Sequence, residues 1–170
     1  SHSMVIRNDR KIVDDVSVRL DAGKKICLVG SSGSGKSTLL RTLAGILEMQ
    51  SGSLVVNGED VTGKPGLTHK DLLYLTQETT IFSASIGDNV SLFRKMPEQT
   101  LKTALLRAGL GNWFHSAGAN LDKVLEKNSA KLSGGEQRRF DFARILAEEG
   151  KILLFDEPTA GLDAANARNI

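Results

Sequence analysis

The chain has 170 residues, 40% of them hydrophobic and 25% charged, with a formal net charge of +2 and one cysteine. That is enough chain for a single domain with a sizeable core. It excludes a disulfide scaffold and a strongly basic nucleic-acid binder, and no apolar stretch approaches the length that crosses a bilayer. The opening Ser1, His2 and Ser3 read as a remnant of expression and are set aside. In chain order, Met4–Ile6 and the alternating Val16, Val18 and Leu20 predict short strands, with a turn at Asp21–Gly23. Lys25, Ile26, Cys27, Leu28 and Val29 predict a buried strand. Within it Cys27 is a small core hydrophobe, suited to a reduced intracellular compartment.

This strand runs into Gly30, Ser31, Ser32, Gly33, Ser34, Gly35, Lys36, Ser37 and Thr38, which fit G-x-x-x-x-G-K-[ST], a loop that wraps nucleotide phosphates. Gly30, Gly33 and Gly35 permit backbone angles closed to other residues, so successive N–H groups can face one anion. The helix that follows would turn its positive end to the same anion. Lys36 can reach the β- and γ-phosphates, and the Ser37 hydroxyl can ligate Mg²⁺. Leu40, Leu43, Ala44 and Leu47 recur at i, i+3, i+4, i+7, the apolar stripe of that helix.

Next, Leu54–Val56 followed by Asn57-Gly58 predicts a hairpin, and Leu72–Thr76 another strand. From about Phe82 to Glu149 the pattern is helical, with Leu101, Ala104, Leu105 and Ala108 on one face. Within that stretch, Ser133 and Glu136 have the spacing of a capping box, and Phe140, Ala143 and Ala147 share a face. Gly134 and Gly135 then fall in the first turn, where glycine costs up to about 1 kcal/mol relative to alanine in a helix interior. Two such residues suggest a backbone that must approach a ligand, and exposed amides at a helix start suit a phosphate.

Finally, Lys151–Phe155 reads as a buried strand that delivers Asp156 and Glu157 at its carboxyl end, where ligands of open α/β sheets bind. Asp156 is placed to hold Mg²⁺ directly or through water. Pro158 disfavours a helical conformation at Glu157 and keeps it at the strand tip, where it could polarise a water for attack on the γ-phosphate. The fold class is therefore α/β: a mixed core, residues 4–80 plus 150–170, interrupted by a helical insert at about 82–149.

The order of these motifs resembles the nucleotide-binding domain of an ATP-binding cassette (ABC) protein. Walker A lies at Gly30–Thr38, the LSGGE(Q) signature at Leu132–Gln137 and Walker B at Ile152–Asp156. The resemblance covers nearly all of the chain after residue 4. It implies a P-loop NTPase, RecA-like core with a parallel sheet, an N-terminal antiparallel β subdomain and the helical α-subdomain as insert. It also implies that Gln77 contacts Mg²⁺ and the attacking water, and that Asp163, in Ala160–Asp163, lies at a dimer interface. In such proteins two domains pack head to tail, so Ser133, Gly134 and Gly135 would bind the γ-phosphate held by the partner domain. ATP and Mg²⁺ are the implied cofactors. The implied partners are a second nucleotide-binding domain and the transmembrane domains of a transporter, at the cytoplasmic face of the cell membrane, with no nucleic acid expected.

The segment Gln77–Val90, with Phe82 and the Asp88-Asn89 pair, is similar to the exporter pattern, although Leu125–Ser129 lacks the glycine-bearing segment that exporters show before the signature. No Phe, Trp or Tyr precedes Tyr74 to stack on adenine, and no histidine follows Walker B. The resemblance thus implies a C-terminally truncated piece lacking the switch histidine, with weak or no ATPase activity of its own; His115, beside Trp113 and Phe114, reads as a packed helix-end residue. Two other classes compete with a transport-powering ATPase. One is a soluble ABC ATPase acting on the ribosome or DNA, and the other a non-hydrolysing, nucleotide-gated scaffold.

Overall fold

The computed structural model describes residues 3–7, 10–62, 72–126, 132–148 and 152–158. The chain forms two compact units, Ser1–Tyr74 with Lys151–Asp156, and Leu75–Gly150 with Glu157–Ile170.

In the first unit, β1 (Ser3–Arg7) pairs antiparallel with β2 (Arg10–Val16), matching Val5 to Val13 and Arg7 to Arg10. Helix α1 (Lys36–Leu43) follows the glycine-rich loop. Strands β3 (Val55–Val56) and β4 (Glu59–Asp60) make the expected hairpin. Its turn residues Asn57 and Gly58 have φ of 52° and 84°, the positive angles that a two-residue type I′ connection demands. Strands β5 (Leu72–Leu75) and β6 (Ile152–Phe155) form a third two-stranded sheet. Val13 and Leu39 are the buried centre of this unit, with Ile12, Val16, Leu28 and Leu43 packed around them.

Several sequence expectations fail here. Residues 25–29 form no strand; Cys27 is exposed and Val29 is 85% exposed. Among the described residues nothing pairs with this run: β6 pairs with β5 instead. An apolar run becomes a buried strand only where a neighbouring strand supplies its ladder. Val18 and Leu20 likewise lie beyond the end of β2 and are exposed. Helix α1 stops at Leu43 and its buried residues are Leu39 and Thr42; of the predicted stripe Leu43 packs against the core, while Leu47 lies past the helix end.

The second unit is helical. Its helices are α2 (Ile86–Ser91), α3 (Glu98–Arg107), α4 (Gly111–Ser116) and α5 (Gly134–Ala147). The predicted face of α3 is buried at Leu101, Ala104 and Leu105. It packs with Ile86, Val90, Leu110, Phe114, Phe140 and Ala143 into one core, in which Trp113 meets the Phe140 ring edge-on. Asn89, fully buried, fixes the entry to α2 by exchanging hydrogen bonds with the Phe82 backbone at 2.8 and 3.0 Å. His115 does sit in the last turn of α4, but it is exposed, because the buried side of this short helix is taken by Phe114. None of the described helices is long and apolar enough to cross a membrane.

Candidate functional site

The phosphate loop of the first unit is built from backbone geometry. Gly33 and Gly35 have φ of 79° and 92°, the left-handed conformation that glycine adopts without strain. Gly35 is also the N-cap of α1, and a Cβ there would lie 2.8 Å from the Ile12 carbonyl oxygen of β2. At Gly30 a Cβ would meet the Ser34 hydroxyl at the same distance. The loop is closed by Lys36, whose Nζ donates to the carbonyls of Gly30 and Ser31, each at 2.8 Å. The ammonium is therefore held by the loop carbonyls. Ser31, Ser32, Gly33 and Ser34 remain exposed around it, and the Thr38 carbonyl accepts from the Thr42 hydroxyl one turn on.

Strand β6 delivers Asp156 to this loop. The Ser37 hydroxyl, in the first turn of α1, donates to Asp156 Oδ1 at 2.9 Å, joining residues 119 positions apart. Asp156 is 3% exposed, so its charge needs such donors. Its other oxygen accepts from the Tyr74 hydroxyl at 3.0 Å. Two hard oxygens at this spacing fit Mg²⁺, which takes one or two protein carboxylates or hydroxyls together with substrate phosphates. Among the described residues no cluster of three or more His, Cys, Asp or Glu could hold a metal ion.

Tyr74 was not anticipated as a site residue; nothing in the sequence signals a bond spanning 82 positions. Burial pushes its hydroxyl above the ordinary value of 10.0; hydrogen bonding to Arg41 opposes this and the Asp156 carboxylate adds to it. A raised folded-state pKa contributes stability below the unfolded value and loses it as pH rises through the folded one. The stability difference between wild type and Tyr74→Phe is therefore expected to be flat through neutral pH and to shrink above about pH 10 in urea unfolding. A pH-independent difference would show that the hydroxyl is not held as described.

The second unit holds the other predicted catalytic residues. Gln77 Nε2 donates to Glu157 Oε2 at 2.9 Å, and both side chains are exposed. Glu157 has a φ of 47° immediately before Pro158. The expectation of a non-helical Glu157 holds in an unexpected way: the residue is left-handed rather than extended. Such a conformation in a non-glycine residue costs of order 1–3 kcal/mol and persists only where surrounding contacts fix it.

At the start of α5 the capping box is complete. The Ser133 hydroxyl oxygen accepts from the Glu136 N–H at 3.2 Å, and the Glu136 carboxylate accepts from the Ser133 N–H at 2.8 Å. Ser133 and Gly134 are exposed and Gly135 is half-buried, and the amides of both glycines lie in the first turn of a fourteen-residue helix, where no intrahelical partner is available. Asp163, like Ala160, Gly161 and Leu162, lies outside the described residues. A second residue missed by sequence reasoning is Arg138, buried one turn into α5.

Comparison with known proteins agrees with this architecture. The sequence pattern of the family described as "ABC transporter" matches residues 13–160. The chain is 35% identical over 166 residues to the probable iron export ATP-binding protein FetA of Escherichia coli (strain K12), covering 97% of this chain and 72% of that protein. It is 32% identical over 157 residues to the mitochondrial iron-sulfur clusters transporter ATM1 of Saccharomyces cerevisiae, covering 91% of this chain and 23% of that one. Among solved structures, a bacterial Atm1-family ABC exporter with ATP bound superposes with a TM-score of 0.85 at 28% identity, over 99% of this chain and 30% of that chain. The chain thus spans about a quarter to a third of several of the proteins it matches. The fold is that of a P-loop NTPase, mixed α/β with parallel and antiparallel sheet pieces. A phosphate loop, a strand-end aspartate and a glycine-headed signature helix in this order, together with these likenesses, mean that the chain belongs to the ABC transporter family as an exporter-like nucleotide-binding domain.

Proposed function

We propose that this domain binds ATP·Mg²⁺ and hydrolyses it to power transport by membrane-spanning partners, as one half of a head-to-tail pair. The observation that carries the reading is the Ser37–Asp156 bond, because it ties a buried carboxylate to the residue that follows the loop-bound Lys36. On this reading the loop residues Gly30–Thr38 cradle the phosphates through backbone N–H groups. Lys36 exchanges its bonds to the loop carbonyls for the β- and γ-phosphate oxygens. Ser37 and Asp156, with Gln77, would hold Mg²⁺, which when bound neutralises phosphate charge. Glu157, oriented by Gln77, accepts the proton of the attacking water. Ser133, Gly134 and Gly135 bind the nucleotide of the second domain, with the two glycine amides facing it, and Asp163 lines the interface between the two. The domain itself is proposed to comprise a core and β subdomain, residues 4–80 and 150–170, and a helical subdomain over about 82–149.

In the whole protein, transmembrane domains, fused or separate, would place this domain on the cytoplasmic face of a membrane. The names of the relatives above, an iron export ATP-binding protein and an iron-sulfur clusters transporter, support export. The pairing is tested by sedimentation of the Glu157→Gln protein. A dimer with ATP·Mg²⁺ and a monomer without it is the expected result; a monomer under both conditions would overturn the head-to-tail site.

A further inference from the structure

Arg138 makes contacts that no part of the proposed chemistry has used. It lies on α5, 3% exposed, one turn beyond Gly134. Its guanidinium donates to the Thr76 carbonyl at 2.6 Å, the Glu157 carbonyl at 3.1 Å and the Pro158 carbonyl at 3.0 Å. It also approaches Asp141 at 3.3 Å. That last contact does not explain the arginine. Asp141 is already paired with Arg144 at 2.8 Å and accepts from the Thr79 hydroxyl. What Arg138 adds is three backbone bonds to two separate segments. One segment ends at the residue before Gln77, and the other is Glu157 with its following proline. A planar fork of fixed donors suits this task, since it sets both distance and angle, which an ammonium on a flexible stem does not.

We propose that Arg138 is a positioning residue for hydrolysis: it holds the left-handed Glu157 backbone and the Gln77 segment in register, so that the Gln77–Glu157 pair is presented correctly. The inference rests on the function proposed above and deepens it. The fork rides on the same helix whose first turn carries Ser133–Gly135. Any shift of α5 on meeting a second domain's nucleotide is therefore carried to Glu157 of its own chain. The left-handed φ at Glu157, 47°, is the kind of conformation that survives only when neighbours over-determine it, and Arg138 supplies two of the fixing bonds.

The test uses the full-length protein carrying Arg138→Met, Arg138→Lys, Glu157→Gln, or Arg138→Met with Glu157→Gln. Turnover is normalised to ATP·Mg²⁺ bound per chain. Misplacing a positioned group costs up to about 100-fold, so Arg138→Met should lower kcat by about 30-fold and Arg138→Lys by about 10-fold, with KM and ATP affinity within about twofold of wild type. Because Arg138 acts through Glu157, the double variant should be no slower than Glu157→Gln alone. Wild-type kcat in either of the two Arg138 single variants would overturn the inference. So would a double variant whose losses simply multiply, which marks a general structural role. Should Arg138→Met fail to fold, Arg138→Lys, which keeps the buried charge and loses the fork, decides by the same readouts. Failure of the underlying function reading appears separately, as absence of turnover in the unmutated protein.

Discussion

Replacing Lys36 with alanine should remove ATP binding. The substitution deletes the one ammonium that the loop encloses, and hydrogen bonds to charged groups contribute about 1.5–3 kcal/mol each. Losing two such bonds to phosphate oxygens weakens affinity by roughly 100-fold or more, since every 1.4 kcal/mol is tenfold. The substitution acts on the loop as well, because Lys36 is its internal tie to the Gly30 and Ser31 carbonyls. Both effects point the same way. Calorimetric titration with ATP·Mg²⁺ reads the result directly, with thermal unfolding as the control for integrity. An affinity within twofold of wild type would remove phosphate binding from this loop.

Glu157→Gln is expected to do the opposite: keep the nucleotide and stop its turnover. The amide is nearly isosteric with the carboxylate, and its oxygen can still accept from Gln77 Nε2 in place of Glu157 Oε2. What it cannot do is take a proton from water. General-base catalysis contributes about 10²–10⁴-fold, so phosphate release should fall within that range while ATP binding is preserved. Single-turnover release of phosphate from preloaded full-length protein separates the chemical step from product release. Turnover retained near the wild-type rate would assign the base to another residue and leave the phosphate loop unaffected.

The parts of this molecule that could be read in advance are those whose causes are local. The glycine-rich loop, the Asn57-Gly58 turn and the Ser133–Glu136 capping box each depend on a few adjacent residues and their allowed angles. The buried face of α3 and the face of α5 through Phe140, Ala143 and Ala147 follow from helical spacing. The strand proposed at residues 25–29 failed because strand formation depends on a distant partner, and apolar composition is silent about whether one is present. Cys27 failed with it. The stripe from Leu40 to Leu47 held at Leu43 but not at Leu47, because periodicity does not say where a helix stops. Tyr74 and Arg138 were unreadable for another reason: their meaning lies in bonds to residues 82 and as many as 62 positions away. In the same way Ser37 and Asp156 were each assigned to the metal from sequence, but only the fold shows that they touch.

Position 35 has an implication for how this sequence can drift. A methyl group there, the smallest possible change, would strike the Ile12 carbonyl while the backbone sits at a φ of 92°. The obstacle is β2, not a nucleotide. A descendant that abandoned ATP altogether would still be unable to vary this glycine without first rebuilding the strand against it. Mutational tolerance at this site is thus governed by scaffold as much as by substrate, and a glycine there outlives any loss of activity.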